Sequence, residues 1–281
     1  FGGLIGAAFV SLGIGGVAWA NILGKIIIPA LAAPFVAGVV SACGTWLIYR
    51  ITDSVEEHNK NDHFRIGQIA TASLVSLAHG TGDAQKTMGV IFLALVAYGE
   101  IDADTHMPLW IIAACASAIA LGTYTGGWRV IRTLGKGLVE IDSPQGMAAE
   151  ASSAAIILTS SHAGMALSTT HVATGSILGT GLGRRGAEVR WGVAGRMATA
   201  WVITLPCAAI VGALTWLVAH LVGLATTDFI GVVAAFAILV TLAGYIYYQS
   251  RKNKVSAHNV NAEWDEHSNS VIPAEERKVA R

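Results

Sequence analysis

Two long apolar stretches of this chain are interrupted by small, polar and ionisable residues, and this constrains the fold more than any other feature. One interruption reads Ser76-Leu-Ala-His-Gly-Thr-Gly-Asp-Ala-Gln-Lys-Thr-Met-Gly89, and the other Ser160-Ser-His-Ala-Gly-Met-Ala-Leu-Ser-Thr-Thr-His171. In hydrocarbon such groups cost several kcal/mol unless protein, ion or water satisfies them. The rest of the chain is membrane-like: 53% of residues are hydrophobic, 13% are charged, and the mean hydropathy is +0.57. Soluble domains carry about a quarter charged residues. The expected class is an all-α polytopic membrane protein that builds an ion or anion site within its membrane region.

Eighteen basic residues balance eighteen acidic ones, which gives no support for a nucleic-acid partner. Cys43, Cys115 and Cys207 lie in apolar segments. Their odd number and scatter point to buried thiols rather than a disulfide framework. No basic segment precedes an apolar run at Phe1, so there is no signal-peptide pattern, and a truncated start is expected.

Runs near the membrane-spanning length predict helices over Ile26–Tyr49, Ile66–Tyr98, Trp110–Thr133, Met197–His220 and Phe229–Tyr248. The run 66–98 is too long for one straight crossing, so a helix broken in its middle is expected there. Connections bearing Arg50, Lys60 and Arg65, then Arg129, Arg132 and Lys136, then Arg184, Arg185 and Arg190 are basic and read as cytoplasmic. The intervening connections Glu100–Pro108 and Leu221–Asp228 contain no Lys or Arg. Segment 144–182 is therefore basic on both flanks and must enter and leave on one side. A re-entrant helical hairpin with its tip near Ala163–Leu167 does this; two full spans also fit, but the Gly- and Ser-rich arms are short for that. Each arm of about 16 residues reaches about 24 Å, to near the midplane. The tail 250–281 is polar and lacks an apolar stripe, so it is expected to be a mobile cytoplasmic end. Lipid contact by Arg251, Lys252 and Lys254 is the functional alternative to a merely mobile end.

Residues 1–49 echo residues 174–220. Gly2, Leu4, Ile5 and Gly6 match Gly175, Ile177, Leu178 and Gly179; Trp19 matches Trp191; Pro34 matches Pro206; Thr45-Trp46-Leu47 matches Thr215-Trp216-Leu217. The matched spans run in opposite directions through the expected topology, as in an inverted repeat. Residues 1–49 then close the first repeat and 50–249 form the second. The counterparts of 66–171 are expected upstream of Phe1, a stretch of about 100 or more residues.

In the first motif, Gly80 and Gly82 weaken a helix and favour unwinding. Unwound carbonyls there, at Gly80 above all, suit a cation, while a half-helix from Ala84 would turn free N–H groups toward an anion. Asp83 supplies the charge that holds Na+ or carries a proton; an N-cap or a pair with Lys86 is the plainer alternative. Lys86 fits three roles equally: attracting an anion, neutralising Asp83, or snorkelling. In the second motif Ser168, Thr169 and Thr170 offer hydroxyls for a dehydrated oxyanion, or an ordinary helix cap. Glu150 is a lone carboxylate in the first hairpin arm and reads as a coupling-ion or proton site. His162 and His171 read as helix-packing polar residues rather than ligands.

The stretches Ala78-His-Gly-Thr-Gly-Asp-Ala-Gln-Lys-Thr-Met-Gly-Val90 and Leu167-Ser-Thr-Thr-His171 resemble the second-half signatures of the PiT inorganic phosphate transporters. The resemblance covers nearly all of residues 1–249. It implies an inverted-repeat, multi-pass permease of the plasma membrane, commonly a homodimer. Such a permease moves inorganic phosphate, in bacteria also as a metal–phosphate complex, together with Na+ or H+ and without a further cofactor. It places substrate and cation contacts on Asp83 and Ser168–Thr170 and marks the position of Glu150 as functional. With the residue-level reading, the expected substrate contacts are Thr81, Gly82, Asp83, Lys86, Ser168, Thr169 and Thr170. The expected coupling-cation contacts are Gly80, Asp83 and Glu150, with no resident metal. The family usually has Asn before the Asp; Gly82 stands here, and a side-chain amide ligand is lost. Sulfate is the nearest alternative substrate. A channel and an intramembrane metalloenzyme using His79, Asp83, His162 and His171 are the rivals from other classes.

Overall fold

A computed structural model of the chain describes residues 1–250, 263–265 and 270–272. Ten α-helices occur among them: α1 Gly2–Leu12, α2 Trp19–Ile22, α3 Ile28–Ile51, α4 Glu57–Ala97, α5 Leu109–Thr125, α6 Trp128–Arg132, α7 Ser143–His162, α8 Thr169–Gly183, α9 Trp191–Ala225 and α10 Asp228–Ser250. Three helical stretches are long and apolar enough to cross a membrane: Trp19–Ile51, Trp191–Ala225 and Asp228–Gln249. The first is continuous through a wider turn at Leu23–Ile27. Most of the tail expectation at 250–281 lies outside the described residues. The described pieces, β1 Glu263–Asp265 and β2 Ser270–Ile272, pair as an antiparallel ribbon that the sequence pattern did not announce.

The chain forms two compact units, one of Phe1–Ile22 with Trp191–Asn259, the other of Leu23–Arg190 with Val260–Arg281. In the first, α1 packs along α9, and α10 packs against α9. Gly2 faces Leu205 and Ala208, and a Cβ on Gly6 would strike the Ala209 carbonyl. In the second unit α8 packs along α3 with the matching chemistry: a Cβ on Gly175 would strike the Pro34 carbonyl, and one on Gly179 the Gly38 carbonyl. The sequence-matched glycines Gly2/Gly175 and Gly6/Gly179 therefore do the same work in each unit, each pair setting a short helix closely against a longer one.

The hairpin is present, with α7 and α8 as arms and residues 163–168 as the tip. Its arms run antiparallel. Gln145 Nε2 donates to the Thr180 carbonyl at 3.3 Å, and Ser152 and Ser153 hydroxyls donate to Ser176 Oγ at 3.2 and 3.0 Å. The base is clamped where Arg184 binds Asp142 and Gln145, Arg190 N donates to the Leu138 carbonyl, and Val139 bridges Val189. Asp142 and Gln145 also form the capping box that starts α7. Hydroxyl groups and small residues let the arms approach closely and satisfy each other, which suits a short polar helix pair in apolar surroundings.

Two expectations are corrected. The break in 66–98 is absent, because α4 is one helix of 41 residues through both glycines. Two glycines weaken a helix by only about 1 kcal/mol each, whereas opening the backbone in apolar surroundings leaves groups costing several kcal/mol. Thr81 adds to the ladder by donating its hydroxyl to the Leu77 and Ala78 carbonyls at 2.9 and 3.1 Å. The helix expected over 110–133 ends at Thr125. Gly126 follows it, and Gly127 has φ +93°, a conformation that stops a helix and that L side chains rarely adopt.

Candidate functional site

Asp83 is held where α4 passes the hairpin tip. Its Oδ1 accepts from Lys86 Nζ at 2.8 Å. Its Oδ2 accepts from Thr169 Oγ1 at 3.2 Å and lies 3.0 Å from His79 Nε2. Carboxylate oxygens only accept when ionised, so the ring nitrogen facing Asp83 carries a proton. His79, Asp83 and Lys86 meet because residues three and four apart share one helix face. Thr169 comes from the other motif, as the first residue of α8, and is buried.

Lys86 has a second partner, the Leu167 carbonyl at 2.8 Å. It thus ties α4 to the hairpin tip. The tip is further fixed by Ala166 N, which donates to the Lys25 carbonyl at 3.1 Å, and by the Met165 N to Ser160 carbonyl bond of 3.0 Å. Beside these groups lies a cavity of about 220 Å³, lined by Gly82, Lys86, Ser160, Ser161, Leu167 and Thr169 among others. A liquid water occupies about 30 Å³, so the space suits a small oxyanion or an ion with part of its hydration.

The structure gathers some of the expected residues and not others. Gly82, Lys86 and Thr169 line the cavity, and Asp83 bonds to the latter two beside it. The Gly82 position has room, since an added Cβ would meet Ile157 Cγ2 at 3.7 Å, an ordinary contact. Ser168 is the N-cap of α8, accepting from His171 N at 3.4 Å. Thr170 is exposed and does not line the cavity. The Thr81 hydroxyl is committed to its own helix. In an unbroken α4, neither a Gly80 carbonyl nor free N–H groups at Ala84 are released for ions, so that expected ion geometry is corrected.

Glu150 belongs elsewhere. Its Oε2 accepts from Thr71 Oγ1 at 2.7 Å, and no cation partners it among the described residues. Thr71 precedes Asp83 by twelve residues on α4, about 18 Å at 1.5 Å per residue. The two carboxylates are not one site. His171 Nδ1 lies 3.0 Å from the Ala30 carbonyl, joining α8 to α3, as its packing reading expected. Sequence reasoning missed the Leu167 carbonyl, which carries no signal in the residue type. The His79–Asp83 contact was legible in their i, i+4 spacing.

A profile of the phosphate transporter family matches residues 1–212. The chain belongs to the phosphate transporter family. A Mycobacterium leprae protein named "Probable low-affinity inorganic phosphate transporter" is 58% identical over 265 residues, covering 94% of this chain and 63% of its own length. A Bacillus subtilis protein of the same name is 36% identical over 225 residues, covering 79% of this chain and 66% of its own. The chain thus spans 63% to 66% of the length of these curated relatives. A solved structure, that of "The sodium-dependent phosphate transporter", shares the fold with a TM-score of 0.66 at 22% identity, over 78% of this chain and 72% of the other. These relatives are named as transporters and not as enzymes, which gives the metalloenzyme reading no support.

Proposed function

We propose that the full-length protein is a symporter of inorganic phosphate across the cell membrane, driven by H+ or Na+, and that this chain supplies part of its substrate site. The observation that carries this reading is the Thr169–Asp83 hydrogen bond, which unites the two polar motifs beside one cavity. Phosphate sits in that cavity. The first-turn N–H groups and dipole of α8 favour an anion there, and Lys86 adds positive charge. A phosphate next to the Asp83 carboxylate is repelled unless a cation neutralises that carboxylate, and the Lys86 ammonium is bonded to it. Proton or Na+ passage involves Glu150 of α7, whose carboxylate is oriented by Thr71 of α4. The hairpin re-enters from the cytoplasmic face, its base clamped among the basic connections.

The names of the relatives support phosphate, and the same contacts suit phosphate carried as a metal complex. Membrane lipid surrounds the apolar helices, and the working assembly is a homodimer. The test is uptake by the full-length protein in proteoliposomes, with the Na+ and pH gradients varied separately. Saturable phosphate uptake that needs one of the gradients is expected. Equal uptake of sulfate, or non-saturable flux indifferent to both gradients, would overturn the reading.

A further inference from the structure

The position of the Lys86 ammonium carries an inference beyond phosphate symport itself. Its nitrogen is 2.8 Å from Asp83 Oδ1 and 2.8 Å from the Leu167 carbonyl oxygen. A carboxylate oxygen and a backbone carbonyl of a non-helical segment, as Leu167 is in the hairpin tip, are ligands that suit alkali cations in membrane transporters. Here a tethered cation occupies the place between them. An ammonium has three donors; two are used on the protein, and Lys86 also lines the cavity, so the third remains for a bound anion. The remaining Asp83 oxygen is taken by His79 and Thr169.

We propose that the Lys86 ammonium is the resident counter-cation of the phosphate site, filling between Asp83 and the hairpin tip the position that a free coupling Na+ would otherwise take. A tethered cation neutralises Asp83 in every turnover and cannot leave with the substrate. Coupling charge must then enter elsewhere, and Na+ is not required at Asp83. The bridge also latches the tip residue Leu167 to α4. The proposal rests on the phosphate-symport reading for its transport consequence, but not for its cation chemistry.

The test uses the purified full-length protein and Na+ itself as probe. Thermal unfolding is measured in NaCl and in N-methylglucamine chloride for the wild type and Lys86→Met. The variant should melt lower and acquire a Na+-specific rise in Tm that the wild type lacks, because the two oxygens are opened to a free ion. In proteoliposomes its phosphate uptake at low Na+ should fall about tenfold or more, the size expected for a lost charged hydrogen bond, and recover in part at high Na+. Lys86→Gln serves as the second variant if Lys86→Met does not fold. A Na+ shift equal in wild type and variants, or wild-type uptake by the variants at low Na+, would overturn the proposal. If the Na+ shift is acquired but the wild type moves no phosphate, the symport reading falls while the cation assignment stands.

Discussion

The Thr169 hydroxyl donates to Asp83 Oδ2 at 3.2 Å, across 86 positions of sequence. One residue starts the second arm of a hairpin and the other lies mid-way along a long helix. Their meeting makes a single polar site out of two motifs that, taken separately, each had an ordinary structural explanation as a helix cap.

The continuity of α4 through that site is testable at Gly80. An added Cβ there meets nothing within 4 Å. In a continuous helix, Gly80→Ala should stabilise the protein by about 0.5–1 kcal/mol, read from thermal or denaturant unfolding. A loss of stability would show that the native backbone at Gly80 is one that alanine resists.

The opposite sign is expected at Gly179, whose Cβ position is occupied by the Gly38 backbone. Gly179→Leu should destabilise by about 1–3 kcal/mol or more as α8 is forced off α3. Gly6→Leu should behave alike against α9. Unchanged stability in both variants would contradict the paired packing of the two repeats.

The helical hairpin was legible in the sequence for electrostatic reasons. Arg132 and Lys136 before it, and Arg184, Arg185 and Arg190 after it, suggested two ends on one side, and the structure joins those ends through Arg184 on Asp142. The offset of Gly175 and Gly179 from Gly2 and Gly6 marked equivalent helices, yet nothing in it showed which span each glycine face would meet. Asp83, Lys86 and Thr169 were legible as chemistry. The state of the backbone around Gly80 and Gly82 was not, because weak local propensity is decided by the surrounding packing and by the cost of opening a helix in apolar surroundings. Glu150 was grouped with Asp83 because one-dimensional order hides the rise along α4 that keeps them apart.

For Glu150 the expectation is a coupling effect rather than loss of the phosphate site. Glu150→Gln in the full-length protein should alter the pH or Na+ dependence of uptake, or its turnover, while leaving the apparent affinity for phosphate nearly intact. Unchanged dependence on both ions would make the Thr71–Glu150 bond a structural one.

Topology gives an independent check. In a background free of Cys43, Cys115 and Cys207, single cysteines introduced beside Arg185 and beside Lys136 should both react only with reagent applied from the cytoplasmic side. Labelling from opposite sides would convert the hairpin into a single span.

The most direct measurement is phosphate uptake by full-length Asp83→Asn in proteoliposomes. Asparagine keeps the shape and the bond from Thr169 but removes the charge that Lys86 neutralises. The account predicts that cation-coupled uptake is abolished while the protein still inserts and folds. Uptake at the wild-type rate with unchanged ion dependence would contradict it.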